Sequence, residues 1–337
     1  MKNVLILNQA HTTNLGDIAI GESLSSWIRE NAWNPITIPF WDERSIFKSL
    51  SYTKLSGLIK SFPFASNIVI GKWVKANIEK ILASNTIDCV ICGGGELFCS
   101  HRGFNAAFYC WVKEFVKRNI PVCVIGVSGD KNLSSVQIKR NKVALAQCFL
   151  VSVRDKDSVS VFKELYDISA DYAPDSVFRL DKYDRSKINT GGLVCVPVGL
   201  NSCEISDVDF YYYKIKNVPN VNRIVFTSTE ERDQSYSKKL CEDINHKYNE
   251  KYVFVPYVDL QSFRNVLDNA DYVVSARMHA MIIGLLKGCK PIPITFKRKL
   301  EVFEEEYCNK VNVDDVVNLL NEKYDEYASL IRSKLSI

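Results

Sequence analysis

Residues 88–98 read Asp88-Cys89-Val90-Ile91-Cys92-Gly93-Gly94-Gly95-Glu96-Leu97-Phe98, and this stretch decides the fold. The apolar run before the first glycine is too short for a helix and shows no polar alternation. It reads as a strand buried on both faces, the kind found inside a parallel sheet. Consecutive glycines are expensive there, because each loses up to about 1 kcal/mol relative to alanine in a regular element. Their position at the carboxyl end of a strand points to positive backbone angles or to a ligand approaching Gly93, Gly94 and Gly95 closely. The spacing is neither G-x-G-x-x-G nor a P-loop, so no dinucleotide or nucleoside triphosphate fingerprint is present.

Outward from this strand the same pattern recurs. Short aliphatic runs at 4–7, 36–39, 89–92, 122–125 and 149–153 alternate with helical spacing over 19–30 and 105–118. That is the signature of a doubly wound α/β half. After Pro174-Asp175 a polar stretch at 181–192 reads as a connection between domains. A second series of runs follows at 193–198, 223–227, 252–255, 271–275 and 291–294, with a helix over 236–248 and terminal helices over 313–334. The expected architecture is α/β: two Rossmann-like doubly wound domains, 1–182 and 190–337, facing a cleft.

Composition sets the limits on function. The 337 residues, 47% hydrophobic and 24% charged, suit a soluble chain with two cores. The charges nearly cancel, 43 basic against 39 acidic, which argues against a nucleic-acid binder that works by counterion release. The opening run Val4-Leu5-Ile6-Leu7 is too short for a signal peptide, and no apolar stretch is long enough to span a bilayer. A cytoplasmic location is expected, where the eleven cysteines stay reduced. Cys89 and Cys92 lie in a strand that points them to opposite faces, against a metal or redox pair. Local charge adds one feature. Residues 44–80 interleave Lys48, Lys54, Lys60, Lys72, Lys75 and Lys80 with Phe47, Tyr52, Phe62, Phe64 and Trp73, which suits a helical insertion with a solvated lysine face or a segment resting on an anionic membrane.

Four polar constellations follow predicted strands. Asn14-Leu15-Gly16-Asp17 lies between the first strand and the first helix, with Gly16 allowing close backbone approach and Asp17 placed to cap the helix. The glycines 93–95 are the second. Arg154-Asp155 forms the third, its guanidinium suited either to a phosphate or carboxylate or to a salt bridge with Asp155 or Asp175. The fourth is Ser275-Ala276-Arg277-Met278-His279-Ala280, where an aliphatic strand turns through arginine and histidine into a helix, with Lys299 after the next strand. His279 stands above His11, His101 and His246 as the functional histidine.

Together Asn14-x-Gly16-Asp17-x-Ala19-Ile20, Asp88 to Gly95, Arg154-Asp155-x-x-Ser158 and Arg277-Met278-His279-Ala280 resemble the polysaccharide pyruvyl transferase family in order and spacing. The resemblance implies a glycosyltransferase-B-like pair of domains around phosphoenolpyruvate, with His279 as acid/base and Arg154, Arg277 and Lys299 holding phosphate and carboxylate. The methionine between Arg277 and His279 stands where the family commonly has leucine or tyrosine. The resemblance further implies a sugar acceptor, including a lipid-linked oligosaccharide, with no cofactor beyond the donor; the chemistry requires no metal, and the sequence shows no metal-ligand cluster. Two readings compete with it. One is a nucleotide-sugar glycosyltransferase of the same architecture, and the other is a noncatalytic ligand-binding protein on that fold.

Overall fold

The computed structural model describes residues 1–9, 11–47, 63–180, 190–199, 206–296, 298–308 and 312–336. Much of the basic, aromatic segment and most of the expected connection therefore lie outside the described residues, at 48–62 and 181–189. The chain forms two compact units: Met1–His11, Ile20–Ser176 and Leu319–Ile337 in the first, Thr12–Ala19 and Val177–Asn318 in the second.

The first unit holds a parallel six-stranded sheet built from β1 (Asn3–Asn8), β2 (Asn34–Pro39), β3 (Cys89–Phe98), β4 (Val122–Gly129), β5 (Leu150–Val153) and β6 (Asp171–Tyr172). Its order is β2-β1-β3-β4-β5-β6, so the sheet winds one way from β1 and the other way from β3. The helices of this part of the chain are α1 (Leu15–Glu30), α2 (Glu43–Phe47), α3 (Pro63–Leu82), α4 (Arg102–Val116), α5 (Ser135–Leu145) and α6 (Lys156–Val161). The apolar runs become strands because both faces of the sheet are covered, and Val4 to Leu7, like Cys89 to Cys92, are fully buried. Trp111 on α4 anchors one layer, its indole N–H donating to the Phe40 carbonyl at 3.0 Å. The short strand β6 has too few apolar residues to announce itself in the sequence.

β3 does not stop at the glycines. It runs through them to Phe98, with its register on β4 shifting between Gly95 and Phe98. Gly94 and Gly95 have φ of 73° and 81°, the left-handed region that favours glycine. The packing explains the rest: a Cβ on Gly93 would overlap Leu24, and one on Gly94 would overlap Ile20, both from α1. Gly93 and Gly94, expected to face a ligand, thus have a packing reason to be glycine: they let a helix lie directly on the strand. Gly94→Ala is expected to cost about 2–4 kcal/mol, from overpacking and the left-handed backbone together. A urea unfolding midpoint compared with wild type measures it.

The second unit holds a parallel five-stranded sheet in the order β11-β10-β7-β8-β9. Its strands are β7 (Gly192–Val196), β8 (Arg223–Phe226), β9 (Val253–Phe254), β10 (Tyr272–Ser275) and β11 (Lys290–Pro293), alternating with α7 (Asp207–Lys216), α8 (Gln234–Tyr248), α9 (Leu260–Asp268), α10 (Met278–Leu286) and α11 (Arg298–Phe303). α10 is apolar on every side, with Ala280 through Leu286 buried, so it is an interior helix of this unit.

The last helix, α12 (Val313–Leu335), corrects the expected boundary. Its residues from Leu319 onward belong to the first unit, not to a domain ending at 337. Tyr324 meets Trp27 edge-on at 4.8 Å between ring centroids, and the Tyr327 hydroxyl donates to Asp171 at 2.8 Å. Lys323 pairs with the same Asp171 at 3.0 Å. An amphipathic helix settles on the apolar face that accepts its stripe, and order along the chain does not say which face that is.

Candidate functional site

The second sheet reverses its winding between β7 and β10. In open α/β sheets, a crevice opens for ligands at the carboxyl ends of the two strands flanking such a switch. Here those ends are locked together, since the Ser275 hydroxyl donates to the Val196 carbonyl at 3.1 Å and accepts from the Arg277 amide at 2.8 Å. The chain leaves β10 at this point, and Arg277 and His279 follow at once as the N-cap and second residue of α10.

His279 lies against the start of α1. A Cβ on Gly16 would overlap the Nδ1 of His279 and stand 2.8 Å from its Cγ, so only glycine leaves room for the imidazole there. The turn that presents Gly16 is held from both sides. The Gly16 amide donates to the Asn14 side-chain oxygen at 3.0 Å, and the Ile18 amide donates to the Asn14 carbonyl at 3.1 Å. Asn14, rather than Asp17, is therefore the capping residue of α1. Asp17 stands one residue past Gly16, with the Thr12 hydroxyl 3.5 Å from its carboxylate. Asn14 also bridges to Glu230, and the Leu15 amide donates to the Thr229 carbonyl at 2.9 Å. The loop after β8 and the start of α1 are thus one hydrogen-bonded piece.

Arg277 is held by acids on that same loop. Its guanidinium pairs with Glu230 at 3.0 Å and with Asp233, leaving the side chain 28% exposed. Its Nε is buried and has no hydrogen-bond partner among the described residues. Glu230 also pairs with Arg232 Nε at 2.7 Å. The N-cap residue of α10, Arg277, makes no side-chain capping hydrogen bond. Lys299 belongs to the same unit, half-buried in the first turn of α11. β11 runs parallel to β10 with Pro293 opposite Ser275, so Lys299 and His279 both follow strand ends on one edge of the sheet.

The sequence therefore named Asn14, Gly16, Arg277 and His279 as separate motifs, and the fold makes them neighbours. It missed Thr229, Glu230 and Asp233. The signal was present in Thr227-Ser228-Thr229-Glu230-Glu231-Arg232-Asp233, a polar run directly after a strand.

Arg154 has different surroundings in the first unit. Its side chain is 4% exposed and pairs with Asp175, equally buried, at 2.9 Å. A second nitrogen donates to the Ser128 hydroxyl at 3.1 Å, and its amide donates to the Val127 carbonyl at 3.0 Å. The expected fork for a ligand anion is already engaged by a carboxylate, the salt-bridge alternative read from the sequence. Asp155 caps α6 through the Ser158 amide at 2.7 Å. Of the other histidines, His101 is the N-cap of α4, its Nδ1 accepting from the Phe104 amide at 3.1 Å, and burial lowers its pKa. His11 and His246 are exposed.

Comparison with known structures supports the architecture. The S. aureus MnaA structure with UDP shares 12% identity, covers 99% of this chain and 91% of its own, and superposes with a TM-score of 0.53. The UDP-GlcNAc 2-epimerase of Neisseria meningitidis bound to UDP-GlcNAc shares 9% identity over 100% of this chain and 94% of its own, with a TM-score of 0.53. That of Methanocaldococcus jannaschii shares 12% over 96% and 94%, with a TM-score of 0.56. At such identities the likeness is one of fold, glycosyltransferase-B-like with two Rossmann-like units. No curated protein is significantly similar in sequence. The sequence model of the polysaccharide pyruvyl transferase family matches residues 14–298, a span that opens at Asn14 and takes in Gly16, Arg277 and His279, and the chain belongs to that family.

Proposed function

We propose that the protein transfers the enolpyruvyl carbons of phosphoenolpyruvate to two hydroxyls of one hexose in a surface-polysaccharide or glycolipid intermediate. Phosphate is released and a pyruvate ketal remains. The observation that carries this reading is the seating of His279 against Gly16, beside Arg277, at the switch point of the second sheet.

The donor carries a phosphate and a carboxylate and needs positive groups in fixed positions. Arg277, Lys299 and the positive end of the α10 dipole supply them from one unit. Glu230 and Asp233 hold the Arg277 guanidinium in position, with the side chain still partly exposed. His279 handles the proton. Protonation of C3 makes C2 cationic, and a sugar hydroxyl then adds to C2 and gives up its proton. The bond from C2 to the phosphate oxygen breaks, and a second hydroxyl of the same sugar closes the ketal. Of the two hydroxyl protons, one replaces that delivered to C3 and the other leaves with phosphate.

Gly16→Ala is expected to lower turnover about 100-fold, because a displacement of the imidazole by roughly 1 Å removes it from attack geometry. The far-ultraviolet circular dichroism spectrum should stay unchanged, since alanine is at home in a first helical turn. Retained turnover would mean that the seating of His279 on Gly16 does not matter to the reaction.

A second reading is a nucleotide-sugar transferase, favoured by the fold shared with enzymes solved with UDP or UDP-GlcNAc. Donor use separates the two. Acceptor-dependent phosphate release from phosphoenolpyruvate, over a panel of galactose, mannose and glucose glycosides and with a matching mass gain, would support the pyruvyl transfer. Saturable binding of UDP, with none of phosphoenolpyruvate, would move the assignment to the nucleotide-sugar reading.

A further inference from the structure

A groove of about 580 Å³ crosses the first unit, with Ile68, Gly71, Lys72 and Lys75 of α3 on one side. Ala106, Tyr109, Cys110, Lys113 and Glu114 of α4 line it further, and Arg140 of α5 completes it. Its charge is one-sided. Among the described lining residues Lys72, Lys75, Lys113 and Arg140 stand against the one acid Glu114, and Lys75 also lies 3.8 Å from Glu79. That carboxylate is already committed to Arg118 at 2.7 Å and Lys117 at 3.4 Å, and the hydrogen bond from Arg118 holds its pKa below the ordinary value. Lys113 lies over the Tyr109 ring at 5.7 Å, its charged end fixed beside an aromatic wall.

Apolar side chains accompany this charge. Ile68 is 48% exposed at the groove. On α5, Val136 and Val143 are 62% and 46% exposed, and they share a helical face with Arg140. Exposed aliphatic groups among lysines and an arginine match a partner that is apolar within and anionic at its surface. No helix among the described residues is long and apolar enough to cross a membrane, so contact through these helices is peripheral.

We infer that this groove docks the protein on a bilayer by taking an anionic phospholipid headgroup, with Ile68, Val136 and Val143 entering the interface. The inference is independent of the donor chemistry, because every residue it uses lies outside the site proposed above. It gives the basic segment of the sequence a partner through its described part, from Ile68 to Lys75.

The test is co-sedimentation of the full chain with vesicles of phosphatidylcholine alone and of phosphatidylcholine mixed with phosphatidylglycerol. Binding is expected only to the mixed vesicles and should weaken with added salt. Lys72→Glu/Lys75→Glu/Lys113→Glu should weaken partitioning on the order of 100-fold, at about fivefold for each lysine. The same reversal at Lys238 and Lys239, which belong to the other unit, should leave it unchanged. Gly71→Leu fills the groove without altering charge. Among the described residues a Cβ there meets only Cys110 Sγ at 3.8 Å, and leucine favours the helix, so this variant should stay folded and bind several-fold more weakly. The inference fails if wild type ignores the anionic vesicles, or if the triple variant with an unchanged melting temperature binds them equally well. It also fails if Gly71→Leu binds as wild type does, or if polyglutamate displaces the protein from the vesicles at matched charge, which would give the groove to an acidic protein.

Discussion

His279→Ala should lower acceptor-dependent phosphate release from phosphoenolpyruvate by about 100- to 10,000-fold, the usual contribution of a positioned acid/base. The loss should fall on kcat, with the KM for phosphoenolpyruvate changed little, because proton transfer acts in the transition state and not on the bound donor. The substitution should not unfold the protein. The imidazole is half-buried and lies over a glycine, so its removal opens space at a surface instead of a cavity in the core. Far-ultraviolet circular dichroism and a thermal melt provide the control. Turnover within a few-fold of wild type would remove His279 from the reaction. A raised KM with kcat intact would make it a binding group.

Arg154→Ala should cost about 3–5 kcal/mol of stability, because it leaves the buried Asp175 carboxylate without its cation. Both side chains are 4% exposed, so water cannot take over the solvation of the stranded charge. The double replacement Arg154→Met/Asp175→Leu removes both charges and should recover most of that loss, since a buried pair exchanged for apolar groups of similar size is often neutral. Chemical denaturation of the three variants reads this directly. The opposite result is informative as well. A stable Arg154→Ala variant that had lost affinity for phosphoenolpyruvate would return Arg154 to the role that the family resemblance implies.

These two residues show what could be read from the chain and what could not. Both were visible as motifs, an arginine and a histidine each placed where a strand gives way to a helix. The surroundings that separate them were not visible. Asp175 lies 21 positions beyond Arg154, and whether it or a ligand meets the guanidinium depends on where the intervening segment packs. The contact between Gly16 and His279 joins residues more than 260 positions apart, and nothing local to either could announce it. Glu230 and Asp233 lie in a polar loop that looks like any other until Arg277 is brought to it.

The triple glycine teaches the same distinction within one element. Its cost required an explanation, and the sequence offered two, a ligand at the backbone or positive φ angles. The structure shows positive φ at Gly94 and Gly95 and adds a third reason, the close approach of Ile20 and Leu24. A glycine records only that something comes near the backbone. It carries no mark of what that something is.

By itself the sequence determined the strands other than β6, their alternation with helices and the parallel α/β class. These follow from local periodicity, and burial on both faces of a parallel sheet leaves an uninterrupted apolar run as its trace. It also determined the family, through motifs whose order and spacing survive in the chain. Only the tertiary structure decided that the last helix packs on the first unit, that Arg154 is paired, and that Asn14, Gly16, Glu230, Asp233, Arg277 and His279 converge. Those are contacts between distant segments, fixed by which apolar faces cover one another and which charges are then left to meet.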